Sequence, residues 1–191
     1  MIIDPGCYED SEKEMLQSAI IEQGLKPEVL FNTHCHIDHV LGNRFVAELY
    51  QLELTMHRGE IPVLDAVQNY GAAMGLTVDP SPAPKHFVEE GDIVKFGNSE
   101  LEVLFTPGHS PASVSLLDRQ AKILIAGDVL FQNSIGRTDL PGGDFDTLIT
   151  SIREKFFVLD DDILVYPGHG PSTTIGHEKV NNPFLNGSYK M

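Results

Sequence analysis

The chain has 191 residues with 28 acidic side chains against 13 basic ones, a formal net charge of -15. A 41% hydrophobic and 21% charged composition is that of a globular protein with a real core, which excludes disorder. No apolar run reaches the ~18 residues needed to cross a bilayer, and so acidic a surface repels phosphate backbones, so neither membrane nor nucleic acid is an expected partner. Two cysteines, Cys7 and Cys35, cannot make a disulfide framework. With no basic segment leading into a long apolar one at the start, they read as reduced thiols of a cytoplasmic protein.

In chain order, Met1 to Ile3 reads as a strand remnant. Ser11 and Glu14 form a capping-box pattern opening a helix, with Met15, Ala19 and Ile20 at helical spacing and Gly24 as its stop. Val29 to Thr33 is a buried strand ending at a histidine cluster, Gly42 to Leu52 a helix, Leu54 to Met56 a short strand, and Ile61 to Met74 a helix. Asp79-Pro-Ser-Pro-Ala-Pro84 carries three prolines and must be extended, a surface connection inside one domain spanning 1–191. Ile93 to Phe96, Leu101 to Phe105, Val114 to Leu117 and Lys122 to Ala126 read as strands, with Asp118 to Ala121 a hairpin turn. Asp144 caps a helix running to about Phe157, and Ile163 to Tyr166 is the last predicted strand. The central strands are joined too closely for helical crossovers, so the class is layered α/β with many antiparallel neighbours.

The densest chemical signal is Thr33-His-Cys-His-Ile-Asp-His39. His34 and His36 alternate on an extended backbone and can face one point, while Asp38 and His39 follow at the bend and can face a second. A loop leaving a strand delivers metal donors densely in this way. Three further donors share one setting, an apolar strand followed by a turn of small residues: His109 after Thr106-Pro-Gly, Asp128 after Ala126-Gly, and His169 after Tyr166-Pro-Gly. Open α/β sheets gather their sites at such strand ends. Seven donors suit two divalent ions, with His34, His36 and His109 on one, Asp38, His39 and His169 on the other, and Asp128 bridging. Two carboxylates and a hydroxide leave such a site slightly positive, able to stabilise an oxyanion and to lower the pKa of bound water to about 7. Asp38 and Asp128 are thus the carboxylates expected to take part in catalysis. No Gly-x-Ser-x-Gly elbow offers a protein nucleophile instead. The donor set accepts zinc first, with iron or manganese also suited.

These motifs, with Ile3-Asp-Pro-Gly6 near one end and Asn182-Pro183 near the other, resemble the metallo-β-lactamase superfamily. An aspartate at Asp128 points away from the true β-lactamases. Ser134-Ile-Gly-Arg-Thr-Asp-Leu-Pro-Gly-Gly143 and Gly168-His-Gly-Pro-Ser-Thr-Thr-Ile-Gly176 are similar to glyoxalase II and its short bacterial relatives. The resemblance implies a four-layer αββα sandwich and a binuclear hydrolase of thioesters, acting on S-lactoylglutathione or a related small acyl-thiol. It also implies that the first N-terminal strands of the sandwich are missing, which would leave a sheet edge open to pairing in a homodimer. Two-domain relatives bind glutathione through a C-terminal helical domain, whereas 22 residues follow His169 here, so those contacts do not transfer.

Rival readings are a mononuclear iron enzyme of the persulfide dioxygenase type, a lactonase or phosphodiesterase of the same superfamily, and a non-catalytic metal-binding domain or inactive truncation. The iron enzyme would use first-site histidines and Asp128 and leave Asp38, His39 and His169 surplus. Cys35 reads as a buried structural thiol and Cys7 as a bystander near the site. Asp4 is read either as a turn former with Pro5 or as a holder of a ligand histidine. Arg137 and Asp139 are expected to brace their loop by pairing. His57 and His86 have no motif around them, and His177 sits in a predicted turn from which it could meet a substrate.

Overall fold

The computed structural model describes residues 1–187 and divides the chain into two compact units, Met1–Val88 and Glu89 onward. The first is a four-stranded sheet in the order β1 (Ile2–Ile3), β2 (Leu30–Phe31), β3 (Leu54–His57) and β4 (His86–Val88), parallel throughout. Parallel pairing needs crossovers, and the sequence supplies a helical one each time. They are α1 (Asp10–Glu22), then α2 (Ile37–Val40) with α3 (Asn43–Tyr50), then α4 (Ile61–Ala73). Leu30, Val46, Leu54, Met56 and Cys35 are wholly buried in this unit's core, where each large aliphatic side chain contributes roughly 1.5–3 kcal/mol. Because β1 and β2 run side by side, Asp4 and Asn32-Thr33 leave the sheet together, with the Asp4 N–H donating to the Phe31 carbonyl at 2.9 Å.

The second unit is a six-stranded sheet in the order β12 (Thr173–Thr174), β11 (Leu164–Pro167), β8 (Ile123–Gly127), β7 (Val114–Asp118), β6 (Ser99–Phe105), β5 (Ile93–Phe96). Strands β5 to β8 form the expected antiparallel meander, and Asp118 accepts from the N–H groups of Gln120 and Ala121 in its last turn. Strand β11 is parallel to β8, after a crossover through α5 (Phe145–Ser151). Strands β6, β8 and β11 therefore point the same way, and His109, Asp128 and His169 all follow their carboxyl ends. A two-stranded hairpin, β9 (Leu130–Phe131) and β10 (Ser134–Ile135), leaves β8 directly behind Asp128. Helix α6 (Ile175–Asn181) closes the described chain, and no described helix is long and apolar enough to cross a membrane.

Several sequence expectations are corrected. Helix α1 begins at Asp10, and the carboxylate reaching back to its start is Glu12, which accepts from the N–H groups of Tyr8 and Glu9 at 2.8 and 2.9 Å. Ile20 is buried as expected, but Met15 is 72% exposed and Ala19 is exposed too, and Leu16 packs against the core in their place. Asp38 and His39 lie on the single turn α2 rather than on a loop. The strand at Leu164 is not the last, since β12 follows it, and the segment at Ile175 is helical because Thr174 caps it by accepting from the His177 N–H. The helix capped by Asp144 changes to a π turn over Ile152–Phe156 before Phe157.

Candidate functional site

In the first unit the ligand-type residues are held by a short chain of hydrogen bonds starting at Asp4. Its Oδ1 accepts the Thr33 N–H at 2.7 Å, and its Oδ2 accepts the Thr33 hydroxyl at 2.5 Å and faces His39 Nδ1 at 3.2 Å. A carboxylate only accepts, so His39 carries its proton on Nδ1 and presents a lone pair at Nε2. The Thr33 hydroxyl has spent its one proton on Asp4. Toward His34 Nδ1, 3.1 Å away, it therefore accepts, and His34 too presents Nε2 as a lone pair. His34 and His39 are buried with ring centroids 4.0 Å apart, and His36 stands edge-on to His34 at 4.9 Å. Asp38 places Oδ2 3.8 Å from His39 Nε2 and is half-exposed. Asp4 thus holds His39, one of the candidate ligand histidines, in line with the second of the two roles read for it.

Cys35 points away from its flanking histidines into the core, its Sγ 3.7 Å from the Met56 sulfur, and burial pushes its thiol well above the usual range. Its backbone N–H donates at 2.9 Å to Oε2 of Glu60, a wholly buried carboxylate at the start of α4. Behind the same loop Asn43 donates to Asn32 at 2.7 Å, and Asn32 donates to the His39 carbonyl at 3.4 Å. Glu60, Asn32 and Asn43 went unnoticed in the sequence. Asn32 adjoins the histidine motif, but Glu60 lies 25 residues from Cys35 with no motif around it.

In the second unit Asp128 Oδ2 lies 3.6 Å from His109 Nε2 and 3.5 Å from His169 Nε2. His109 Nδ1 is 2.7 Å from the Arg137 carbonyl, which can only accept, so the ring's proton is on Nδ1 and a lone pair faces the carboxylate. A neutral imidazole nitrogen and a carboxylate oxygen are both acceptors, so facing each other they need either a second ring proton or a cation between them. This donor set fits a divalent metal, with the hydrogen-bonded Nδ1 groups supplying the outer support such ligands need. His109 and Asp128 are nearly buried, while the His169 side chain is 55% exposed, so the cluster opens toward solvent on that side.

The His109 loop is clamped by α5. Asp144 N–H donates to the Gly108 carbonyl at 2.8 Å, and the Ser151 hydroxyl donates to that of Pro107 at 2.7 Å. Gly108 has φ 129°, and a Cβ there would run into the Leu148 backbone. Arg137 and Asp139 pair as expected, through two contacts of 2.7 Å that hold the Asp139 carboxyl down to about 2. His86 pairs with Glu53, His57 accepts the Gly59 N–H, and His177 lies 3.1 Å from the Asn133 side-chain oxygen.

The family model described as the Metallo-beta-lactamase superfamily matches residues 1–169. The hydroxyacylglutathione hydrolase GloC of Haemophilus influenzae is 40% identical over 187 residues, 97% of this chain and 86% of that protein. Among solved structures, TTHA1623 in a di-iron-bound form superposes with a TM-score of 0.86 at 37% identity, covering 96% of this chain and 88% of the other. The BLEG-1 B3 metallo-beta-lactamase gives 0.87 at 36% identity, covering 96% and 87%.

Proposed function

The chain belongs to the metallo-β-lactamase superfamily, with its α/β fold, and we propose that it is a two-metal thioester hydrolase of the glyoxalase II kind, cleaving S-lactoylglutathione or a related acyl-thiol. The observation that carries this reading is Asp128, whose Oδ2 is approached at 3.5–3.6 Å by the Nε2 atoms of His169 and His109. In this proposal His34, His36 and His109 hold one ion, Asp38, His39 and His169 the other, and Asp128 serves both. Two such ions supply Lewis acidity for a developing oxyanion and a water acidic enough to attack an acyl carbon near neutral pH.

The protein's own part is orientation. Asp4, Thr33 and the Arg137 carbonyl fix three histidine rings with their protons on the outer nitrogen. Asp128 and His109 are nearly buried and so held in place, and the exposed side at His169 would admit a substrate and the attacking water. Support for a thioester comes from the likeness to the Haemophilus hydroxyacylglutathione hydrolase, and support for a metal pair from the di-iron neighbour. A mononuclear persulfide dioxygenase leaves His39 without a task, yet His39 is buried and held by Asp4. Iron, zinc and manganese all suit these nitrogen and oxygen donors.

The test is thiol release from S-lactoylglutathione by metal-analysed protein, with a β-lactam, a lactone and a glutathione persulfide as parallel substrates. Chelator-sensitive release at about two metals per chain is the expected result. Ring opening of the β-lactam, or oxygen uptake with the persulfide, in place of thioester cleavage would move the chain to that other chemistry.

A further inference from the structure

Glu178, on α6, is wholly buried and plays no part in the ligand set. Its Oε2 accepts the Asn133 backbone N–H at 2.9 Å and the Asn182 amide at 2.8 Å, and its Oε1 accepts the Thr173 hydroxyl at 2.5 Å. Burying a carboxylate is costly, and three converging donors are what such a group needs to stay in place. Asn182 adds a bond of its own to the Ser134 carbonyl at 2.9 Å.

What these bonds hold is informative. Asn133, at φ 57°, is the tip of the β9–β10 hairpin, which begins two residues after Asp128. The hairpin returns through Gly136, whose Cα lies against the Asp128 carbonyl with no room for a Cβ, to Arg137, whose carbonyl orients His109. Phe131 on the same hairpin stands edge-on to the His169 ring, centroids 6.5 Å apart. Thr173, on β12, ends the segment that leaves His169. One buried carboxylate therefore ties together the arms that carry Asp128 and His169, and the first of these arms leads on to the Arg137 carbonyl that orients His109.

We propose that Glu178 is a positioning residue for the Asp128–His109–His169 metal cluster, acting through the β9–β10 hairpin and β12 rather than by touching a ligand. This rests on the reading of that cluster as metal-binding. The experiment compares wild type, Glu178→Ala, Glu178→Gln and Ile175→Val by chelator-competed cobalt titration, the cobalt absorption spectrum and thermal melting. Ile175 is a buried core residue at the start of the same helix and makes none of these bonds, so Ile175→Val is a control for lost stability alone.

Glu178→Ala is expected to lose about 10–100-fold in metal affinity, with an altered cobalt spectrum. Glu178→Gln is expected to stay within a few-fold of wild type. Its amide oxygen can accept from Asn133 and Asn182 while its NH2 donates to a Thr173 hydroxyl that rotates to receive it. Ile175→Val should melt earlier and bind cobalt normally. Unchanged affinity and spectrum in Glu178→Ala overturns the proposal, and so does an equal loss in Ile175→Val. If Glu178→Ala does not fold, Thr173→Val decides: it removes one donor, and a smaller loss in the same direction supports the role while none overturns it. A wild type that binds no cobalt brings down the two-metal function and this inference with it, whereas a wild type that binds beside an unaffected Glu178→Ala brings down the inference alone.

Discussion

Asp4 and His39 are 35 positions apart, and the carboxylate of one stands 3.2 Å from Nδ1 of the other. The contact exists because β1 and β2 are parallel neighbours, so their exits lie side by side. Its chemical effect is to leave the His39 proton on the ring nitrogen away from Asp38. Asp4 has φ 48°, a conformation that asparagine tolerates and most other residues resist. Asp4→Asn therefore keeps the backbone while putting an NH2 where an acceptor stood, which favours the wrong His39 tautomer. Metal affinity should fall about 10–100-fold with little change in the metal-free melting temperature. Equal affinity by competition titration would show that the contact does not govern the ring.

Gly108 offers a steric test of the His109 loop. Its φ of 129° already disfavours a side chain, and a Cβ there meets Leu148 backbone rather than a side chain that could swing away. Gly108→Ala should cost on the order of 1–3 kcal/mol of stability and reduce metal retention, because the loop can only move outward with His109 on it. A melting curve and metal analysis of the same preparation check both halves of the statement.

The seven candidate donors stand out in the sequence because metal ligands must be particular residue types at strand ends, and the pattern recurs three times after a glycine. The meander over Ile93–Gly127 was legible because its strands are apolar and its turn at Asp118 is chemically marked. The hairpin at Leu130–Ile135 escaped because strands of two residues leave no periodicity to read. Glu60 and Glu178 escaped for another reason. A buried carboxylate looks like any surface glutamate until the fold places a backbone N–H or an amide opposite it. The Arg137 carbonyl that orients His109 is backbone and has no sequence signature at all. Met15 misled because an apolar residue at helical spacing was counted as core, whereas the neighbouring Leu16 takes that place.

The two thiols should behave differently. Burial raises both, but Cys35 is wholly enclosed against Met56 and sits far above its ordinary range, while Cys7 is only half-buried. With a thiol-reactive disulfide near pH 8, Cys7 should react in the native protein and Cys35 only after unfolding. Cys35→Ala should keep most activity and metal, since the side chain faces away from the ligands and only a small cavity is left. Full loss of activity with metal retained would assign the thiol a role that its orientation does not suggest.

Asp144 links pH to the same loop. Its carboxylate accepts the Thr147 N–H at 2.7 Å, and the hydrogen bonds from Thr147 hold it below the ordinary aspartate range. A carboxyl whose folded pKa is depressed contributes stability above its unfolded pKa, and the contribution is lost as pH falls through the folded value. The melting temperature of wild type should thus exceed that of Asp144→Ala by a constant margin from pH 8 to about 5, and the margin should narrow below about 4. A margin that widened on acidification would contradict the direction of the shift.

Asp128 is the residue whose loss should be least repairable. It is nearly buried, its Oδ2 is shared between two histidines, and Gly136 closes against its carbonyl so that the backbone cannot yield. If it serves both ions, Asp128→Ala must weaken both, whereas a ligand to one ion alone would leave the other in place. Metal analysis after desalting should therefore find well under one equivalent in Asp128→Ala, against about two in wild type, and thioester hydrolysis should fall by several orders of magnitude. His169→Ala provides the contrast, because it removes a donor from one proposed ion only and should retain about one equivalent. Retention of two equivalents with normal turnover in Asp128→Ala would dismantle the bridging assignment, and one equivalent in both variants would make Asp128 a ligand to a single ion.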